Sequence, residues 1–383
     1  MRNKLVLPLL GLLLGALIVG LAYQAWQAAP AAAQTRPIVW KMQTSFAAGT
    51  PLDLSFSALA KKVEEMSGGR LKWEVLPAGA IVAAFEVLDA VNRGILDGGG
   101  TVPAYWVGKS RAISLFGTGP SYGLNANELL AWEWYGGGQQ LYNDLLQKKL
   151  GFNVVAFHFG PMPTQPLGWF RKPVRSLADI KGIKYRTVGL AADMYKAMGL
   201  AVVTLPGGEI IPALERGVID AAEFNNPTDD KRLGFADVAS YYVTRSFHQP
   251  VEYLEVIINK SKWDALPADL QAVVRYAVMA ESADFTWRLL HSNAQDFDEL
   301  VNQRGVKVIW APEDILRAQL DAWDQVVARY SAEDPEFARI AGEIRKWASK
   351  VVPLRVSIQV DNRIAYEKYW KKEWEGKIFE TFP

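Results

Sequence analysis

The stretch "AAEFNNPTDDKRLGF", residues 221–235, sets one carboxylate, Glu223, beside Phe224 and the paired amides Asn225 and Asn226, directly after an apolar run. An acid with aromatic and amide neighbours at the mouth of a strand is either one wall of a ligand site, with Glu223 and Asn226 as contacts, or a strand end feeding an acidic surface turn. Arg186 lies between Tyr185 and Thr187 in "IKYRTVG". A guanidinium held there offers a planar fork to a carboxylate, the usual reason to place arginine rather than lysine in a cleft. The competing reading is a surface arginine on an edge strand. One catalytic pattern is present: "GPSYG", residues 119–123, satisfies G-x-S-x-G, and His158, His248 and His291 follow it. A nucleophile elbow needs Ser121 at the apex of a strand-to-helix turn, whereas Pro120 precedes it and the next helix is expected to start near Asn125. There is no zinc-type histidine spacing and no phosphate loop, and the chain has no cysteine.

Strands and helices alternate around these residues. "IVWKMQTSF" reads as a strand, "DLSFSALAKKVEEMSGGR" as an amphipathic helix stopped by Gly68 and Gly69, and "LKWEVLP" as a second strand. This is βαβ wiring, which implies a mostly parallel sheet covered by helices. Ser176 and Asp179 cap the short helix "SLADIKG", which delivers the strand carrying Arg186. An internal echo follows. "VLDAVNRGILDGG", residues 87–99, aligns with "IIPALERGVIDAA", residues 210–222. Each reads as a helix holding Ala90 or Ala213, an Arg-Gly stop, and a short strand ending in Asp97 or Asp220. Each copy also follows a Leu-Pro-x-Gly turn, Leu76 to Gly79 or Leu205 to Gly208. Two lobes on one plan are one explanation, and the generic likeness of strand-helix-strand units is the other. In open α/β sheets ligands gather beyond the carboxyl ends of the strands, so Tyr105 and Glu223, just after the two repeats, fall where contacts are expected.

From Pro267 to Arg304 no glycine or internal proline interrupts an apolar helical period, and Gly305 closes the run. A helix of roughly 55 Å results at 1.5 Å per residue, longer than one lobe and suited to span both. Tyr366, Tyr369, Trp370 and Trp374 crowd the last helix as core or as a homodimer surface. The expected fold is therefore α/β and two-lobed, with a long helix spanning both lobes.

The 383 residues are half hydrophobic, and the formal charge is +1 with no basic block, so nucleic acid is not an expected partner. Arg2 and Lys4 precede an uncharged run from Leu5 to Leu21, and Ala31 and Ala33 supply an A-x-A site, the pattern of a secretory signal over residues 1–33. An uncleaved anchor is the alternative. The expected location is the periplasm.

"SLADIKGIKYRTVG", "GGEIIPALERGVIDAAEFNNPTDDKRLGF" and "GLNANELLAWEWYGGGQQLYNDLL" together resemble the solute receptors of TRAP (tripartite ATP-independent periplasmic) transporters, in the branch that includes 2-oxo acid and lactate receptors and is often labelled mannitol or chloroaromatic. The resemblance runs from about Val39 to Lys262. It implies a two-lobed periplasmic binding protein (type II-like) closing on a small organic monocarboxylate, a 2-oxo or 2-hydroxy acid or an aromatic acid, for delivery to TRAP membrane subunits. It also implies that Arg186 grips the carboxylate. In that branch a glutamine and the acid of an "EW" pair help hold a metal ion, here Gln165 and Glu223, with Phe224 in place of tryptophan offering its carbonyl. Sodium or calcium suits such oxygen donors. A metal-free site in which Gln165 and Glu223 bond the ligand directly is the other possibility. Gln249, with Glu252, is a further candidate donor, ahead of a strand that returns to the first lobe. Arg186 and Glu223 are expected to face each other across the ligand. The lobes are expected to comprise 34–158 with 250–303, and 159–249 with 304–383 including the C-terminal helices. An ABC-type periplasmic binding protein and an exported α/β-hydrolase using Ser121 are the alternatives.

Overall fold

The structure, a computed structural model, describes residues 36–380, so the export signal expected over 1–33 lies outside the described residues. Strands β1 (Ile38–Thr44), β2 (Leu71–Leu76), β3 (Gly98–Thr101), β4 (Val154–Pro161) and β10 (Tyr253–Asn259) form one sheet, in the order β2-β1-β3-β10-β4. A second sheet takes β5 (Gly168–Phe170), β6 (Lys184–Arg186), β7 (Ala201–Val203), β8 (Ala221–Ala222), β9 (Tyr241–Thr244), β11 (Lys307–Trp310) and β12 (Ile378–Phe379). Its order is β12-β11-β9-β5-β8-β6-β7. Each sheet has one inserted antiparallel strand: β10 between β3 and β4, and β5 between β8 and β9. The chain therefore crosses between lobes just before β5 and just before β10. The two crossovers bond each other, Met162 N to Glu252 O at 3.0 Å and Gln165 N to Gln249 O at 3.3 Å.

The echo in the sequence is an echo in space. β3 runs parallel to β1 with Gly98 opposite Met42, and β8 runs parallel to β6 with Ala221 opposite Tyr185. Asp97 and Asp220 do not end these strands, as the sequence suggests, but precede them. Each aspartate accepts the backbone N–H of a lysine on the neighbouring strand, Lys41 or Lys184, both at 2.8 Å, so it caps the entrance of the ladder. The helices preceding the two strands are α2 (Val87–Asn92) and α4 (Ile210–Glu215). Glycine is a poor strand former, yet at Gly100 a side chain would collide with Phe56 on helix α1 (Pro51–Met66), so the bare backbone lets that helix pack close.

The uninterrupted helical run is a single helix, α6 (Ala268–Asn302). Its first half is clipped to α1: Ser55 and Lys62 both donate to buried Glu281 at 2.7 Å. Its second half meets helix α5 (Pro227–Leu233) of the second lobe, where Lys231 reaches Asp296 at 2.8 Å and Thr228 N donates to Asn293 Oδ1 at 3.1 Å. The helix spans both lobes. Helix α7 (Pro335–Ile358) lies in the segment expected with the second lobe, and it also packs on helix α3 (Ala126–Tyr135) of the first. There Trp347 donates to Glu128 O, and Arg355 pairs with the Glu128 carboxylate, both at 2.8 Å. The C-terminal aromatics divide. Tyr366 packs near Trp310 and Trp374 near Phe297, whereas Tyr369 and Trp370 are 61% and 52% exposed. Among the described residues no helix is long and apolar enough to cross a membrane.

Candidate functional site

Between the lobes lies a small cavity of about 20 Å³. Five polypeptide segments converge on it. Tyr105 follows β3, Arg186 ends β6, Phe224 and Asn225 follow β8, and Gln165, Gln249 and Glu252 come from the crossovers. Phe46, Leu52, Val102, Met162 and Val188 supply apolar walls.

Arg186 is 1% exposed. Its Nε donates to Leu205 O at 2.8 Å, and its Nη1 donates to Glu223 O at 3.0 Å and to Glu223 Oε1 at 2.9 Å. Arg186 and Glu223 thus touch directly, not across the ligand position as the sequence suggests. The reason is that Glu223 follows β8 and Arg186 ends the adjacent β6, so the two leave neighbouring strand ends side by side. The Arg186 Nη2 has no partner within the protein. Burial pushes the Glu223 carboxyl above its ordinary range, against the pull of Arg186. Glu252 is pushed up further, by burial first and then by the charges of Glu223 and Glu255. Gln249 Nε2 donates to Glu252 Oε2.

Buried oxygens of Gln165, Glu223, Gln249 and Glu252 likewise have no partner within the protein. Unpaired buried polar atoms are costly, and here Gln165, Gln249 and Glu252 line the cavity while Glu223 is held against Arg186, which also lines it, the mark of groups reserved for something that binds. Hard oxygen donors of this kind fit a sodium or calcium ion. Among the described residues no three acidic, histidine or cysteine side chains form a metal cluster. The donor set here is instead amide and carboxylate together.

Asn226 does not line the cavity. Its Oδ1 caps α5, accepting from Thr228 N and Asp229 N at 3.1 Å each, while Asn225 faces the cavity. The sequence carried that signal, since asparagine followed by proline at the first helical position is a favoured N-cap arrangement. The aliphatic wall had no signal of its own. Phe224 lines the cavity with its ring, 5.9 Å from the Arg186 guanidinium.

Ser121 is not at an elbow. It opens a short 3₁₀ turn, Ser121–Gly123, and its hydroxyl donates to Gly119 O at 3.4 Å. His158 is enclosed by Glu133 at 3.3 Å and Glu255 at 3.8 Å; burial opposes its charge, but the two acids outweigh it and raise the ring to about 9. His248 pairs with Ser246 at 2.6 Å and is pushed down to about 3 by burial and by Arg186. His291 is exposed on α6.

Two lobes joined by paired crossovers, with a buried arginine and reserved oxygens at their seam, define a solute-binding receptor. The chain belongs to the bacterial extracellular solute-binding protein family 7 (DctP), whose model matches residues 42–334, and it is a periplasmic receptor of the TRAP type. It is 31% identical over 335 residues to a monocarboxylate 2-oxoacid-binding periplasmic protein of Nostoc sp., covering 86% of this chain and 88% of that one. A TRAP solute-binding protein from Bordetella bronchiseptica, a dimer with calcium and picolinate in one site, superposes with a TM-score of 0.80 at 30% identity, over 88% of this chain and 98% of that one. A Pseudoalteromonas atlantica receptor with bound sodium and pyruvate gives the same TM-score and identity, over 88% and 100%. These matches set aside the ABC-type and hydrolase alternatives for the family.

Proposed function

We propose that this receptor captures a small organic monocarboxylate together with a sodium or calcium ion and presents it, unchanged, to TRAP membrane subunits. The ligand is a 2-oxo or 2-hydroxy acid first and an aromatic acid second. The observation that carries this is the Arg186 fork, with Nη2 buried and unpartnered beside the unpartnered oxygens of Glu223, Gln165, Gln249 and Glu252. Arg186 grips the carboxylate. Gln165, Glu223, the Phe224 carbonyl and Gln249, with Glu252, hold the cation, whose charge offsets acids that one arginine cannot balance alone. Tyr105 closes the first-lobe side of the cavity. The relatives with calcium and picolinate, or with sodium and pyruvate, support this choice.

A thermal-shift screen of small acids tests it: a ligand at 100 times its Kd stabilises by about 2.7 kcal/mol. Stabilisation by neutral sugars alone would count against it. Ester and amide panels are expected to show no hydrolysis, and turnover lost in Ser121→Ala would contradict a pure receptor. The exposed Tyr369 and Trp370 support a homodimer, and a monomeric mass in solution scattering at working concentration would exclude it.

A further inference from the structure

Asn225 stands at the cavity with its amide orientation fixed from behind by a chain of hydrogen bonds. The chain begins at α5, where the backbone N–H groups of Thr228 and Asp229 both point at Asn226 Oδ1, at 3.1 Å. Turning that amide over would set an NH₂ group against two N–H donors, so Asn226 must present Nδ2 on its other side. Nδ2 meets Asp229 Oδ2 at 2.6 Å. The same Oδ2 receives Asn225 Nδ2 at 2.8 Å. Oδ2 acts as an acceptor whether or not Oδ1 carries a proton, so Asn225 is held with its NH₂ turned away from the cavity. The backbone is held as well: Asn225 N donates to Asp230 Oδ1 at 3.1 Å, and Asp230 is itself tied to Trp169 Nε1 at 2.8 Å. Asn225 lines the cavity, and its Oδ1 is buried without a partner.

We propose that Asn225 is a specificity-determining residue whose fixed Oδ1 accepts a hydrogen bond from a ligand hydroxyl, so that this receptor selects a 2-hydroxy acid over the corresponding 2-oxo acid. Asn226 and Asp229 are its positioning residues. This rests on the monocarboxylate assignment above and narrows it. An acceptor locked against the carbonyl of a 2-oxo acid gains no bond and stays desolvated, and a site built to bond a hydroxyl discriminates strongly against the analogue without one.

The test is calorimetric titration with lactate and pyruvate, which differ only at the 2-position, in the same sodium- and calcium-containing buffer. The unmodified protein is expected to bind lactate at least ~10-fold more tightly, tenfold being about 1.4 kcal/mol. Asn225→Leu removes the acceptor and is expected to bring the ratio of the two constants near one. Asp229→Asn keeps the volume but can donate as well as accept. It frees Asn225 to turn its NH₂ to the cavity, so the ratio should move toward pyruvate. A merely structural role for Asp229 would weaken both acids alike and leave the ratio in place, and circular dichroism of each variant separates misfolding from altered selectivity. A preference for pyruvate in the unmodified protein, or a lactate preference that survives Asn225→Leu, overturns the proposal while leaving the monocarboxylate assignment standing. Equal loss of both acids in Asn225→Leu, with loss of bound calcium or sodium by metal analysis, makes Asn225 a cation donor instead and also overturns it. If neither acid binds and only uncharged solutes do, it is the monocarboxylate assignment that has failed.

Discussion

Replacing Arg186 by lysine keeps the positive charge and removes the fork. In the structure the guanidinium serves three acceptors from two of its nitrogens, Leu205 O, Glu223 O and Glu223 Oε1, and holds the third nitrogen in reserve. A lysine ammonium is a single point with three protons, and it cannot satisfy acceptors on both sides of the site and still face the ligand. If it stays with Glu223, the ligand loses one charge-assisted hydrogen bond, about 1.5 to 3 kcal/mol, or roughly 10- to 150-fold in affinity. Leu205 O is also left buried and unpaired, which lowers fold stability by a further ~1 to 3 kcal/mol. Arg186→Ala goes further by stranding buried Glu223, and breaking a buried pair costs about 3 to 5 kcal/mol. Isothermal titration of the tightest acid from the thermal-shift screen, with thermal melts of the unliganded variants, measures both quantities. An Arg186→Lys protein that binds within twofold of the original, while its melting temperature drops, would show that Nη2 is not the carboxylate partner.

Exhaustive chelation in sodium-free buffer is expected to weaken ligand binding at least tenfold, with Glu223→Gln showing a smaller response to added calcium; undiminished affinity in an ion-free protein would mean that Glu223 bonds the ligand directly. Gly207→Ala should lower affinity, because a Cβ there collides with the Phe224 ring beside Arg186, and overpacking costs about 1 to 3 kcal/mol. Titration of that variant against unchanged binding decides it. Stability should fall as pH rises from 6.5 to 9. His158 is raised from 6.5 to about 9 and Asp230 from 3.8 to about 8, so the folded state holds protons that the unfolded chain has released, and each contribution is lost as pH passes the folded value. Melting temperatures of the original protein, His158→Gln and Asp230→Asn at pH 6.5 and 9 test this, with a smaller drop expected in each variant; a rise toward pH 9 would contradict it.

The long helix and the alternation of strands were legible because both are periodic over many residues, and the lobe plan because Leu-Pro-x-Gly and Arg-Gly recur in the same order. Placing Tyr105 and Glu223 just beyond strand ends needed only the rule that ligands gather there, whereas Arg186 stood out by its fork chemistry in a short strand and by the family resemblance. The direct Arg186–Glu223 contact was not readable, since it depends on β6 and β8 being neighbours, and nothing local records which strands pair. Asn225 and Asn226 are adjacent and chemically identical. Only the capping preference ahead of Pro227 separates their roles, and the two-sided lock through Asp229 appears only when α5 is folded. The start of β3 was misplaced because Asp97 reads as a strand's polar end when it is in fact the cap at its entrance.

The insertion of β10 has a consequence for the order in which the protein can assemble. β4 has no neighbour in its sheet except β10, and β3 has β10 on one flank, with Val256 opposite both Gly100 and Phe157. A chain emerging amino end first through a translocation channel therefore holds β3 with an open edge, and β4 without any ladder, until residue 259 has passed. Such distant pairings make folding slow, and unpaired edges invite association with other chains in the interval. An amino-terminal fragment cannot complete the first lobe's sheet by itself. Residues 39–249 alone would carry most of the first lobe's strands and still lack the one that joins them.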